Sequence, residues 1–373
     1  MFNLNISFNK KQIEMMNPIH NNNDLQYDQL TSFLKENGGN HVSHLIYLKD
    51  KEMFWTKEQD VLFVYQRISN KLIVLGDPIG EEAKIHAAIK EFCEFSKRKG
   101  LKPVFYQISP QYMQYYHDSG YRFLKVAETG LVNLQQFSLD GKKGAKLRTK
   151  LNKFTRNNFT FSVVHPPYSD QFLSEIKHIS DSWLGSQKEK GFSVVSFSKE
   201  YVSLFPIALL HGPAGNIIAF ATLATDYKNT ITIDLMRKYS DSPYGTMDVL
   251  FIHIFHWAKN NSYQTCSLGM TPLSNVGTCK HSFTSEKLIR LVYLYGNSMY
   301  NFKGLKEFKS KFTSNWEPKY LAYKKTILPL TLLQLLVLIN YKRSARNPMK
   351  KKSNSLKNTI ANGVLNDHNE RLS

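Results

Sequence analysis

The sequence is poor in the features that mark several protein classes. Its 373 residues hold three cysteines, Cys93, Cys266 and Cys279, too few and too scattered for a disulfide framework, which fits a reducing compartment. Neither Cys-x-x-Cys nor His-Glu-x-x-His occurs, so no metal site is expected. No apolar run reaches the roughly 18 to 20 residues needed to span a bilayer. The Asn-rich first 26 residues lack the apolar stretch of a secretory signal. Acidic residues are also scarce, with 30 Asp+Glu against 49 Lys+Arg and a formal charge of +19. Such an excess attracts polyanions by long-range steering and counterion release. Charge alone does not choose between nucleic acid and anionic lipid.

Hydrophobic residues make up 42% of the chain and aromatics 13%, enough for real cores, and the length suits two packed modules. After a polar tail (1–24), Asp24 to Asn37 reads as a helix. Ser43 to Leu48, Asp60 to Arg67 and Lys71 to Gly76 read as antiparallel strands. Glu81 to Lys99 has helical spacing (Ile85, Ala88, Ile89, Phe92, Phe95) and stops at Gly100. A strand over Val104 to Ile108, a helix over Pro110 to Ser119 and a strand over Gly120 to Leu134 complete an α+β module spanning 25–140. A second module over 159–325 is similar in kind. Its expected helices are Ser169 to Gly185 and Thr246 to Asn260, and its strands Phe205 to His211, Asn216 to Asp226, Thr230 to Met236 and Thr265 to Leu268.

Between the modules, 141–158 reads as a basic linker helix bearing Lys142, Lys143, Lys146, Arg148, Lys150, Lys153 and Arg156 and no acid. Like charges at that density favour a bound polyanion, nucleic acid or anionic lipid, over a merely solvated face. The strand ending in Asp234-Leu235-Met236-Arg237 is followed by a loop, then by Tyr244-Gly245-Thr246 opening an apolar helix. Free N–H groups at such a helix start can dock a phosphate, with Gly245 allowing close approach and Thr246 able to cap. Asp234 and Arg237 at the strand end read equally as a structural ion pair or as site residues.

These segments, together with Ile179-Ser180-Asp181-Ser182-Trp183-Leu184, Glu189-Lys190-Gly191-Phe192-Ser193, Leu268-Gly269-Met270-Thr271-Pro272-Leu273-Ser274, Asn301 to Phe312 and Trp316-Glu317-Pro318-Lys319-Tyr320-Leu321-Ala322-Tyr323, occur in one order. Over about residues 40 to 330 the sequence resembles the catalytic domain of phosphatidylglycerol lysyltransferases, the multiple peptide resistance factors. The resemblance implies two tandem GNAT-like acyltransferase folds joined by the basic helix, with aminoacyl-tRNA and lipid entering a tunnel in the second fold from opposite ends. The coenzyme A signature of many GNAT enzymes is missing, which suits a different acyl donor. Carried over by motif, Asp234, Arg237 and Lys309 are catalytic, joined by Tyr201 and Glu286. Lys303, Lys306 and Thr271 stand where the family usually has Gln, Arg and Ala. Lysine keeps the charge but lacks the planar fork of arginine.

The implied reaction is ester exchange: a glycerol hydroxyl of phosphatidylglycerol attacks the aminoacyl ester of lysyl-tRNA. It needs a base, an oxyanion stabiliser and positioning, and no cofactor. On this reading Asp234 or Glu286 relays the proton or holds an ammonium, while Arg237 and Lys309 hold phosphate or oxyanion. The product would lower the membrane's negative charge and so protect against cationic antimicrobial peptides, at the cytoplasmic face of a bacterial membrane, with any flippase a separate protein. A peptidoglycan-bridge aminoacyltransferase and a non-catalytic RNA- or membrane-binding module are the alternatives. Within 326–373, the apolar run Ile327 to Ile339 precedes Lys342, Arg343, Arg346, Lys350, Lys351 and Lys352. It reads as an interfacial anchor on anionic lipid or as a helix packed on the module, the rest being a disordered basic tail.

Overall fold

The computed structural model describes residues 24–278 and 302–340. Glu286, Cys279, the polar tail to residue 23 and the six cations after the apolar run lie outside the described residues.

The chain begins with helix α1 (Asp24–Asn37), whose Leu30 and Leu34 are fully buried. Ser43–Leu48, expected as a strand, is a 3-10 helix. The reason lies in local polar contacts. Asn40 N–H donates to Ser43 Oγ at 2.7 Å and Val42 N–H to Asn40 Oδ1 at 3.0 Å, which holds the backbone in a turn that alternation alone does not reveal. The first strand is instead β1 (Glu52–Trp55), followed by β2 (Val61–Ile68), β3 (Lys71–Leu75) and the short β4 (Ile79–Gly80). Helix α2 (Ile85–Arg98) buries Ile85, Ala88, Ile89 and Phe92, the face its spacing predicts. Strand β5 (Lys102–Ile108), helix α3 (Met113–Asp118) and the long β6 (Arg122–Asn133) complete the first half.

The basic segment forms helix α4 (Gly141–Arg156). It packs through Gly144, Leu147 and Phe154; a Cβ at Gly144 would fall 1.8 Å from the Leu139 carbonyl, so only glycine fits. Then come β7 (Thr160–Val164), α5 (Asp170–Leu184, N-capped by Ser169), the short α6 (Lys199–Val202), β8 (Ile207–His211), β9 (Ile217–Thr225), β10 (Thr230–Lys238), α7 (Thr246–Asn260) and β11 (Thr265–Pro272). Helix α8 (Phe302–Ser310), β12 (Asn315–Tyr323) and α9 (Leu328–Asn340) end the described chain.

All these strands join one mixed sheet in the order β1-β2-β3-β5-β12-β6-β11-β10-β9-β8-β7, with β4 on β2. The order reads alike from both ends of its central β12–β6 pair. On one side β2 and β3 are antiparallel, β3 and β5 parallel, and β5 and β12 antiparallel. On the other, β9 and β10 are antiparallel, β10 and β11 parallel, and β11 and β6 antiparallel. Each half thus has the other half's late strand lying beside its own parallel pair. Both faces are covered, so strands such as β2 read as nearly continuous apolar runs. One face carries α1, α5, α6, the 3-10 helix and α9 around Leu30, Ile176, Tyr201 and Leu235. The opposite face carries α4, α7 and α8 around Val249, Phe251, Phe255 and Phe312 in the second half, and α2 and α3 in the first.

The apolar run at the end is a packed helix over part of its surface. Thr331, Leu335 and Leu338 are buried, Lys71 Nζ donates to Gln334 Oε1 at 2.7 Å, and Gly191 N–H donates to the Ile339 carbonyl at 2.9 Å. Its outer row, Leu330, Leu333 and Leu336, stays about half exposed. Among the described residues no helix is long and apolar enough to cross a membrane.

Candidate active site

Strands β10 and β11 are the parallel pair of the second half. Their register runs from Thr230↔Thr265 to Thr232↔Ser267 and stops, although both strands continue. A bulge causes the parting in each. In β10 the register with β9 shifts between Ile233 and Met236; in β11 the register with β6 shifts between Ser267 and Met270. A bulge puts two successive side chains on one side of a strand. Accordingly Ile233 and Met236 face the α7 core while Leu235 faces the α5 core beside Asp234 and its partners. Leu235 N–H turns to Thr222 Oγ1 at 3.0 Å, and Gly269 adopts φ +71°, which a side chain would resist.

Asp234 is held at both oxygens. Tyr201, fully buried, donates its hydroxyl to Oδ2, and His44 Nε2 lies 3.4 Å from Oδ1. Burial, and then the Asp234 charge, push the Tyr201 phenol well above its ordinary range, so it remains a donor. His44 comes from the 3-10 helix of the first half. Buried Lys51 stands nearby, bonded to the Leu45 carbonyl at 2.9 Å and to Asp50 Oδ1 at 2.6 Å, while Asp50 Oδ2 accepts from Phe192 N–H at 3.1 Å. Two segments singled out from sequence, Asp234 to Arg237 and Glu189 to Ser193, therefore meet residues of the first half.

Lys309 approaches from the other face of the sheet, on α8 beside Phe308 and Phe312. Its side chain is buried, and Nζ donates to the carbonyls of Gly269 at 3.2 Å and Met270 at 3.0 Å, at the bulge of β11. Burial, reinforced by the neighbouring Lys306 charge, lowers its pKa to about 7. Lys306 is itself tied to Glu128 Oε2 at 2.7 Å and lies 3.0 Å from the Trp316 ring centre. Glu128 also accepts from Lys125, Ser274 and Asn275.

Arg237 does not pair with Asp234. It reaches Glu189 Oε2 at 3.4 Å, and Glu189 Oε1 accepts from Phe197 N–H at 3.2 Å. Gly245 has φ +99° and opens α7 as expected, but Thr246 does not cap it: the Thr246 hydroxyl donates to the Pro243 carbonyl at 2.7 Å. The basic helix divides its cations. Arg148 is used on the Leu139 and Gly141 carbonyls and Lys150 on Asp248, which also takes Lys311 at 2.8 Å. Lys142, Lys143, Lys146, Lys153 and Arg156 stay exposed.

His44, Glu128 and the Glu317–Lys319 pair are groups that reading the sequence did not single out as site residues. Glu317 sits opposite Thr129, which sits opposite Met270, so it lies level with the β11 bulge two strands away. Lys319, fully buried, bonds to Glu317 at 2.8 Å and Ser109 Oγ at 2.7 Å. A Trp-Glu-Pro-Lys run is the only signal that could have flagged them. His44 had none.

Comparison with known proteins gives a consistent relationship. The chain is 44% identical over 299 residues to a phosphatidylglycerol lysyltransferase of Bacillus subtilis (strain 168), covering 80% of this chain and 35% of that protein. It is 38% identical over 295 residues to one from Staphylococcus epidermidis, covering 79% and 35%. The chain thus spans about 35% of the length of these curated relatives. The solved structure of L-PGS from Bacillus licheniformis superposes with a TM-score of 0.76 at 41% identity, covering 84% of this chain and 97% of that one. The family described as "Phosphatidylglycerol lysyltransferase, C-terminal" matches residues 31–323, and the chain belongs to that family.

Proposed function

We propose that this chain transfers an aminoacyl group, lysyl by preference, from aminoacyl-tRNA to a glycerol hydroxyl of phosphatidylglycerol. The observation that carries the reading is the gap between β10 and β11, with Asp234 and Lys309 brought to it from opposite faces of the sheet. Two large substrates that must react without sharing an entrance need such a site.

The hydroxyl oxygen forms a bond to the ester carbonyl carbon, the hydroxyl proton leaves, the bond from carbonyl carbon to the tRNA ribose oxygen breaks, and that oxygen takes up a proton. A group with pKa near 7 can do both transfers, accepting when neutral and donating when charged. Lys309 fits that task, with a pKa of about 7. Asp234, clamped by Tyr201 and His44, holds the α-ammonium of the aminoacyl group against the gap. Arg237, sharing its charge with Glu189, faces phosphate. Glu286 keeps its proposed catalytic place on motif alone.

Two GNAT-like folds in tandem, over 25–140 and 159–325, account for the strand order if each lends a late strand, β6 or β12, to its neighbour. The exposed cations of α4 take tRNA phosphate. The chain works peripherally at the cytoplasmic face of the membrane, where α9 rests on anionic lipid. A flippase would deliver the product outward, and the lowered surface charge would give resistance to cationic antimicrobial peptides.

The test is incubation of the purified chain with phosphatidylglycerol vesicles and radiolabelled lysyl-tRNA or alanyl-tRNA, followed by lipid extraction. Label in a phospholipid, stronger from lysyl-tRNA, is expected. No label from either, with tRNA and vesicle binding intact, would overturn the enzymatic reading and favour a binding module.

A further inference from the structure

Tyr244 is the most exposed large hydrophobic side chain among the described residues, at 85%, and it sits on the turn that leads into α7. Exposing an aromatic ring to water is unfavourable, and an unconstrained one would fold back onto the surface. This ring is held out. Lys150 of the basic helix places Nζ 4.5 Å from the ring centre, and the same ammonium is fixed by Asp248. Burial works against the Lys150 charge, but pairing with Asp248, joined by the Tyr244 hydroxyl, outweighs it and raises the pKa, so the ammonium beside the ring stays charged. One face of Tyr244 is therefore covered by a fixed charge, and most of the rest of the ring is open.

The surroundings select the class of ligand. On α4, Lys142, Lys146, Lys153 and Arg156 follow i, i+4, i+11, i+14 spacing on one exposed stripe, with no acidic residue in the helix. At about 1.5 Å per residue the stripe is about 21 Å long, the reach of a few nucleotides of extended backbone. A cationic track beside an open aromatic face is how sequence-tolerant sites hold unpaired nucleic acid, phosphates on the cations and a base on the ring. A bilayer interface also takes tyrosines, but a lysine fixed on one face of the ring leaves a single open face, which is the geometry of base stacking.

We infer that Tyr244, clamped by Lys150, is a stacking platform for an unpaired base at the single-stranded 3′ end of the RNA donor, whose backbone lies along the α4 stripe. This rests on the aminoacyl-tRNA reading above and adds to it a place and a contact for the RNA end.

The experiment uses the full chain and a fluorescent RNA hairpin carrying a four-nucleotide 3′ overhang, with the same hairpin made blunt as control. Binding is measured at fixed salt for the native chain and for Tyr244→Ala, Tyr244→Phe and Tyr244→Trp. The native chain is expected to prefer the overhang. Tyr244→Ala should weaken overhang binding by about 5- to 150-fold and leave blunt binding unchanged, while Phe and Trp retain it to within about threefold. An overhang preference that survives Tyr244→Ala, or is lost equally in Tyr244→Phe, overturns the platform. Failure of the native chain to bind either RNA, with anionic vesicles still bound, would instead sink the aminoacyl-tRNA reading on which it stands.

Discussion

The two parallel strand pairs of this sheet begin alike and end differently. In the first half β3 and β5 stay in register from Lys71↔Lys102 to Leu75↔Tyr106, and Gly76 N–H extends the pairing to the Tyr106 carbonyl at 2.8 Å. In the second half β10 and β11 part after Thr232↔Ser267. In each pair the strand nearer the centre has a residue with positive φ at its bulge, Gln107 at +67° in β5 and Gly269 at +71° in β11. What separates a closed pair from an open one is the strand farther from the central β12–β6 pair. β3 has no register shift with β2, whereas β10 bulges at Asp234. A gap needs both strands to turn away. The first half has kept the framework and contributes His44 to the gap of the second.

If that gap is where chemistry happens, the largest effect should come from its buried lysine. Lys309→Met should lower lysyl transfer by about 10²- to 10⁴-fold, and the native rate should rise with pH through about 7 as the amine loses its proton. Stability should also rise with pH. The folded-state pKa of about 7 lies below the ordinary 10.5, so between those values the unfolded chain holds more protons and native stability rises with pH. Below pH 7 the native fold carries a buried ammonium and Lys309→Met should melt higher; the advantage should shrink as pH rises. Thermal melts at pH 6 and 9 check this, and a variant that melts lower at pH 6 would remove the argument for a desolvated lysine.

The contribution of the first half can be broken next. His44→Leu removes a contact to a largely buried carboxylate. Hydrogen bonds to charged groups are worth about 1.5–3 kcal/mol, and the 3.4 Å separation argues for the lower end, about tenfold in kcat. KM for both substrates should change by less than about threefold, because a residue that orients Asp234 does not itself hold tRNA or lipid. Equal losses in kcat and in folding stability would reduce His44 to packing.

A third comparison is between the two faces of α9. Replacing exposed Leu330, Leu333 and Leu336 together by Ser should weaken binding to anionic vesicles by about tenfold, since each leucine is already partly covered and yields less than the roughly 1.5–3 kcal/mol of full burial. The melting temperature should barely change, in contrast to Leu335→Ser on the packed face. Sedimentation with phosphatidylglycerol vesicles reads the difference, and unchanged binding would leave the outer row without a membrane role.

Local pattern made much of this molecule legible. The spacing of Ile85, Ala88, Ile89 and Phe92 predicts the buried face of α2, and the basic run 141–158 predicts α4 nearly to the residue. Ser43 to Leu48 misleads because its alternation is overruled by Asn40 and Ser43 hydrogen-bonding within the turn. Candidate residues carried by ordered motifs, Asp234, Tyr201 and Lys309, come to the margins of one gap. The partners of those residues were hidden. Nothing near Asp234 in sequence names His44, whose place depends on how the 3-10 helix packs over the sheet. Nor does Asp-Leu-Met-Arg announce a bulge, since the register shift exists only against β9. The interleaving of β6 and β12 is likewise a property of strand order.

The smallest expected effect lies at the first-half bulge and bears most directly on the comparison. Gln107 occupies a left-handed conformation that costs a non-glycine residue about 1 kcal/mol or more. Its buried amide meets the His41 ring and the Tyr106 hydroxyl, so the strain lies in the backbone. Gln107→Gly relieves that strain and gives back part of the gain through the greater freedom of glycine in the unfolded chain. The net expectation is roughly 0.5 kcal/mol of added stability with kcat unchanged. If the same substitution lowers kcat while raising the melting temperature, strain at Gln107 is being held for the sake of the neighbouring gap, and the first half is a working part of the site beyond His44.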